Sequence, residues 1–174
     1  MIKKIVKYTL LFCVALVLLL VGGSFVAGIY MGSDIDTFAQ GQSRAHRDAE
    51  GVWEIKAPDR EALWHTFGYL QAHDRYFQIE LTRHAALGRL AELMGADAVT
   101  RDRLSRTMAG IAYSEFATKA ADSPLRRSAE KFSEGINAWR KTKSSTNPVE
   151  FKALGLSIAD LPAWEPWHVY AISY

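Results

Sequence analysis

Apolar and polar positions change their period several times along the chain, and each change marks an element. Lys3, Lys4 and Lys7 precede an uncharged, mostly apolar run from Tyr8 to Tyr30. At about 1.5 Å per residue this run makes a helix of about 34 Å, enough to cross a hydrocarbon layer of about 30 Å. Residues 31–43 are small and polar and read as a linker. In 45–57, Asp48-Ala49-Glu50-Gly51 has turn character, while Val52, Trp53 and Ile55 favour strands, so a short hairpin is expected. At Pro58 the period lengthens. Asp59 can cap a helix with Glu61 in its first turn, and Trp64, Phe67, Leu70, Phe77 and Leu81 follow at helical spacing.

Gly88 is expected to interrupt this helix, and a short turn from Arg89 to Met94 then ends at Gly95. Residues 96–110 predict a further helix, stopped by Gly110. Ser123-Pro124 opens another, a hydroxyl N-cap before proline. It carries Leu125, Ala129, Phe132, Ile136 and Trp139, and the polar stretch Lys141–Asn147 ends it. Residues 148–155 read as short and extended. A last helix begins in 162–174, and its apolar positions Trp164, Trp167, Val169 and Ile172 run to the final residues without a cap. That pattern reads as a cut element in an incomplete chain. The division expected is 1–30 anchor or signal, 31–43 linker and 44–174 folded segment.

One position breaks the pattern. Asp74 shares a helical stripe with Leu70, Phe77 and Leu81. A buried carboxylate without a partner costs several kcal/mol, so arginine or backbone N–H groups must satisfy it.

Composition narrows the classes. The chain has 174 residues, 49% hydrophobic and 23% charged, with a formal net charge of +2, which suits one globular domain. So small a charge, with no aromatic-studded basic segment, argues against nucleic acid. The single cysteine, Cys13, excludes an internal disulfide framework and a cysteine-based zinc site. The lysine flank places the N-terminus in the cytoplasm and the remainder across the inner membrane, in the periplasm. Two readings of 8–30 stand: an uncleaved anchor, or a signal cleaved after the small residues of Val26-Ala27-Gly28. Phe12 is too bulky for the residue before a lipidated cysteine, and no Arg-Arg pair precedes the run.

Local catalytic signatures are missing. His73-Asp74 invites a metal reading of the phosphohydrolase type, with His65 and Asp102 as further ligands. Neighbours on a helix point about 100° apart, however, which does not suit one ion. There is no G-x-S-x-G elbow, no H-E-x-x-H and no glycine-rich phosphate loop after a strand. The residues alone give an exported, mostly helical segment without an identifiable active site. A membrane-anchored helical interaction module is compatible with all of this.

The motifs, however, resemble the first chain of the penicillin acylase family of N-terminal nucleophile hydrolases. "RDAEGVWEI" looks like that family's opening strand–turn–strand. "GYLQAHDRYFQIELTRHAALGRLAELMG" matches its most specific signature, filled here by Gly68, Tyr69, Ala72, Asp74, Arg75, Gln78, Arg83, Gly88, Glu92 and Gly95. "EGINAWRKT" and "NPVEFKALG…WEPWHV" match two later landmarks in order. One departure is Trp53-Glu54, where the family usually has Pro-His.

The resemblance implies an α+β class: a mostly helical segment with a short hairpin, part of a larger four-layer αββα fold. It implies a precursor cleaved into two chains. The nucleophile is then the serine at the start of the second chain, with its own α-amino group as base, suited to that role by an ordinary pKa near 8. On this view no catalytic residue lies in the present segment, and calcium belongs to the complete enzyme. The partner is the second chain, the substrate a small N-acyl amide such as a penicillin or an acyl-homoserine lactone. Asp74 becomes a scaffold acid, paired with Arg75 or Arg83 or touching the second chain.

Overall fold

The structure is a computed structural model that describes residues 37–119, 123–142 and 148–173. The apolar run 8–30, its two alternative fates and most of the expected linker lie outside the described residues. Contacts divide the chain into a unit of residues 1–37 and a unit of residues 38–174, and the second holds every described helix. Among the described residues no helix is long and apolar enough to cross a membrane.

Three strands open the fold in the order β1 (Thr37–Gln40), β2 (Ser43–Arg47), β3 (Trp53–Lys56). β1 lies inside the stretch expected to be linker. β2 and β3 form the predicted hairpin, antiparallel, with Ala45 opposite Ile55 and Arg47 opposite Trp53. Its turn is set by Asp48, whose Oδ1 accepts from the backbone N–H of Glu50 (3.0 Å) and of Val52 (2.8 Å).

Helices follow: α1 (Arg60–Ala86), α2 (Ala91–Met94), α3 (Val99–Thr118), α4 (Pro124–Thr142), α5 (Val149–Ala153) and α6 (Pro166–Ile172). Asp59 caps α1 as expected, accepting from Ala62 N at 2.8 Å. Gly88 ends the turn after α1 with φ +65°, and α3 crowds it: a Cβ there would sit 2.3 Å from Asp102 O.

Three expectations are corrected. α3 is not stopped by Gly110 but runs on to Thr118. A helical glycine costs only about 1 kcal/mol against alanine, and the buried Ala109 and Ala112 offset it. Residues 149–153 are helical rather than extended, because one turn places Phe151, fully buried, in the core. The stripe of α1 also shifts. α1 is kinked at Arg75, which has the non-helical angles φ −141° and ψ 36°. Leu70 is buried, but beyond it the deep positions are Ala72, Tyr76, Glu80, Arg83 and His84, while Phe77 and Leu81 are half-buried.

The main packing is α1 against α4. Two glycines permit it: a Cβ on Gly68 would come within 2.1 Å of Phe132 O, and one on Gly135 within 2.0 Å of His65 O. The helix backbones therefore meet almost directly. Ala72, Tyr76, Ile136, Trp139, Phe151, Ile158 and Trp164 make the main core cluster. Ala112, Ala129, Tyr170 and Ala171 make a second.

Candidate functional site

The sequence signature builds two polar clusters on α1, one at the kink and one beyond it. At the kink, Asp74 meets the hairpin. Arg47 Nη2 donates to its Oδ1, and Trp53 Nε1 donates to its Oδ2 at 2.9 Å. His73 Nδ1 lies 2.9 Å from Oδ1. The two hairpin residues are cross-strand partners, and the Arg47 guanidinium also sits 4.7 Å over the Trp53 ring. Asp74 therefore clasps both ends of one β-pair to the helix. Its partner is Arg47, neither Arg75 nor Arg83 as expected, because the hairpin folds back onto this face of α1. Arg75 and Gln78 are exposed. Trp53, the departure from the usual pattern, supplies an indole N–H that a proline could not.

Two turns further on lies a buried acid that the sequence pattern did not single out. Glu80 Oε1 accepts from Tyr76 Oη (2.7 Å), Trp164 Nε1 (3.0 Å) and Arg83 Nη2 (3.0 Å), and Oε2 accepts from Arg83 Nε (2.9 Å). His84 Nδ1 is 2.9 Å from the Glu80 carbonyl oxygen. Burial alone would raise the Glu80 pKa, but His84, Arg83, Tyr76 and Trp164 together hold it below the usual carboxylate value. Burial and the neighbouring Glu80 push the Tyr76 phenol far up, so it remains a donor.

Arg83 also anchors the approach to α6. Its Nη1 donates to Pro162 O (3.2 Å) and Ala163 O (3.1 Å). Asn137 pairs reciprocally with the Trp164 backbone, at 2.8 and 2.9 Å, and Arg140 binds Ile158 O and Leu161 O. α6 itself starts with Glu165 N donating to His168 Nδ1 at 2.9 Å. Burial and the Arg83 charge lower the His168 pKa from 6.5 to about 4, so this imidazole is neutral.

The remaining signature residues fasten the corner after α1. Arg89 and Glu92 pair through two bonds of 2.8 and 2.7 Å. Asp102 caps α2, accepting from Leu90 N (2.9 Å) and Ala91 N (2.8 Å), and Arg106 Nε donates to Gly88 O (2.9 Å). Gly95 closes α2 with φ +85°. The metal reading therefore loses its ligands: Asp102 is spent on backbone and His73 on Asp74. Among the described residues no group of three or more His, Cys, Asp or Glu could hold a metal ion.

These clusters brace backbone; nothing in them pairs a nucleophile with a base. The described serine hydroxyls of Ser128 and Ser173 donate to the carbonyls of Pro124 and Tyr170. The spacing Tyr76, Glu80, Arg83 was visible as one helical face. Its partners Trp164 and Pro162 lie about eighty positions away and gave no local signal.

A model of the penicillin amidase family matches residues 43–174. The chain belongs to the penicillin amidase family. Within it, the chain is similar to the penicillin acylase 2 proenzyme of Pseudomonas sp. (strain SE83), 35% identical over 129 residues, which cover 74% of this chain and 16% of that protein. It is 35% identical over 135 residues to penicillin G acylase of Escherichia coli, covering 72% and 15%. It is 33% identical over 109 residues to acyl-homoserine lactone acylase QuiP of Pseudomonas fluorescens, covering 63% and 14%. The chain thus spans only 14–16% of the length of these relatives. A solved structure of thermostable penicillin G acylase from Alcaligenes faecalis superposes with TM-score 0.65 at 22% identity, over 77% of this chain and 71% of that chain. The chain is thus mostly helical with a small sheet, and its fold is that of the matching part of this penicillin G acylase chain.

Proposed function

We propose that this chain is the first-chain portion of an exported acylase that hydrolyses the amide bond of N-acyl substrates, penicillins or acyl-homoserine lactones among them. The observation that carries the reading is the family match over 43–174 combined with the lengths. The matched solved chain is comparable in length to this one, whereas the full relatives are several times longer, and one of them is named a proenzyme. Both kinds of relative, penicillin and acyl-homoserine lactone acylases, support an acyl-amide substrate and do not choose between them.

On this reading the segment holds scaffold, and a second chain brings the nucleophile, the amine base and the oxyanion donors. The clusters at Asp74 and Glu80 support it, since their polar groups are consumed in bracing the hairpin and the approach to α6. Export, with the apolar run 8–30 as anchor or signal, belongs to the same proposal.

The test is an assay of the full chain, alone and co-expressed with the second-chain portion of a relative, on a chromogenic phenylacetyl amide and a long-chain acyl-homoserine lactone. The expected result is no turnover alone. Turnover by the chain alone, abolished by mutating one of its own serines, overturns the reading.

A further inference from the structure

The chain carries an apolar groove that none of its described polar clusters lines. Between the first halves of α1 and α4 and the end of α6 lies a groove of about 220 Å³, lined by Trp64, Phe67, Leu125, Ala129, Phe132 and Tyr170 among others, none of them charged. A second hollow of about 180 Å³ shares Phe67 and is walled by Val52, Ile55 and Leu70 together with Trp53, Gln71 and Asp74, where the hairpin clasp borders it. Phe67 lines both, so the apolar strip runs from α6 across Phe67 to the edge of the Asp74 clasp. Its side chains are not tucked away: Phe67 is 37% exposed, Leu125 58% and Val52 59%. Apolar strips of this extent on a surface mark a contact with another polypeptide or an aggregation hazard.

The size of the protein says what covers it. The segment is 14–16% of the length of its relatives, so most of such a polypeptide lies outside this structure. α6 contributes Tyr170 and Ser173 to the groove, which brings the last described turn of the chain to its wall. We propose that the Phe67-centred strip seats an apolar, uncharged segment of the remaining acylase polypeptide. This rests on the two-chain reading above and adds the place of docking. Burial of such a segment follows from the hydrophobic effect, and aromatic walls at the centre of a contact are where its energy concentrates.

The test uses the full chain, tagged and co-expressed with the portion of the Pseudomonas sp. SE83 penicillin acylase 2 proenzyme that follows its matched region. The wild-type chain retains that partner. Phe67→Glu and Leu125→Glu each lower its recovery at least ten-fold. Leu104→Glu, at an apolar side chain 70% exposed on α3 away from the strip, leaves recovery unchanged. Thermal melts of the variants match wild type, since these side chains are partly in solvent. If a glutamate variant melts lower, Leu125→Gln, which adds no charge, must still reduce recovery. Full recovery with Phe67→Glu and Leu125→Glu overturns the docking strip and leaves the two-chain reading standing. Loss of the partner by the wild-type chain overturns both. A wild-type homodimer that Phe67→Glu dissolves assigns the strip to a second copy and overturns the proposal.

Discussion

Glu80 and Arg83, one turn apart on α1, form an ion pair at 2.8 Å with side chains 0% and 1% exposed. The pair ties the helix to a loop some eighty residues later, because Arg83 binds Pro162 O and Ala163 O while Glu80 receives the Trp164 indole. A buried pair is worth little against an apolar replacement, but removing one partner strands the other charge, at about 3–5 kcal/mol. Arg83→Met is therefore expected to lower stability by that amount, a large share of a typical 5–15 kcal/mol. Glu80→Leu with Arg83→Met should cost less than the sum of the two single changes, since neither leaves a lone charge. Urea melts of the three variants check this, and single changes each under about 1 kcal/mol would refute it.

Asp74 ties the hairpin to α1 through Arg47 and Trp53. Its side chain is 23% exposed and that of Arg47 17%, so the ion pair is partly screened by solvent. Asp74→Ala is expected to cost about 1–3 kcal/mol, the range for losing hydrogen bonds to a charged group. The loss should appear first as faster hydrogen exchange at the amides of 43–56. Asp74→Asn should be milder, because an amide oxygen still accepts from Trp53 or Arg47. Unchanged exchange in the hairpin of Asp74→Ala would show that the clasp does not hold it.

One substitution type should act with opposite sign at two glycines. At Gly135 a methyl group would meet His65 O at 2.0 Å, backbone against backbone, so Gly135→Ala must push α1 and α4 apart. Overpacking of this kind costs about 1–3 kcal/mol or more. Gly110 has open space around the same position and lies inside α3. Gly110→Ala should stabilise by about 0.5–1 kcal/mol through helix propensity and lost chain entropy. Thermal melts moving in the same direction for both would contradict the packing described.

What could be read from the chain was local. The Asp48–Gly51 turn, the Asp59 cap, the Ser123-Pro124 start and the stops at Gly88 and Gly95 each rest on neighbours within a few residues. The site signature was legible as a resemblance, but its partners were not. Asp74 finds Arg47 and Trp53 only because the hairpin folds back, and that clasp coincides with the kink at Arg75. The deep positions Ala72, Tyr76, Glu80 and Arg83 keep ordinary helical spacing on the face opposite Leu70, so α1 is covered on two sides, which a single apolar stripe does not reveal. Gly110 misled because its cost is smaller than the packing of α3. Residues 149–153 misled because five residues show no period, and burial of Phe151 decides their form.

His168 gives the fold a dependence on acid. It stands at the third position of α6, where a capping box ordinarily has Glu or Gln, and its Nδ1 accepts from Glu165 N at 2.9 Å. An accepting Nδ1 carries no proton, so the ring must be neutral for this bond to exist. The ring is 4% exposed. Burial and Arg83, with a smaller push from Arg89, lower its pKa from 6.5 to about 4, against an opposing pull from Glu80. The unfolded chain takes up the proton near pH 6.5 and the folded one only near pH 4. The stability this represents is complete above about pH 6.5 and is lost as pH falls toward 4, amounting to about 3 kcal/mol. His65, whose pKa burial also lowers, adds in the same direction, whereas Glu80, held below its ordinary 4.5, adds its loss only beneath that value. His168→Gln keeps an acceptor for Glu165 N and removes the titration. The variant should melt at or below wild type at pH 7.5 and above it at pH 4.5, so that the two curves cross. Parallel melting curves between those pH values would show that His168 is not the acid-sensitive group.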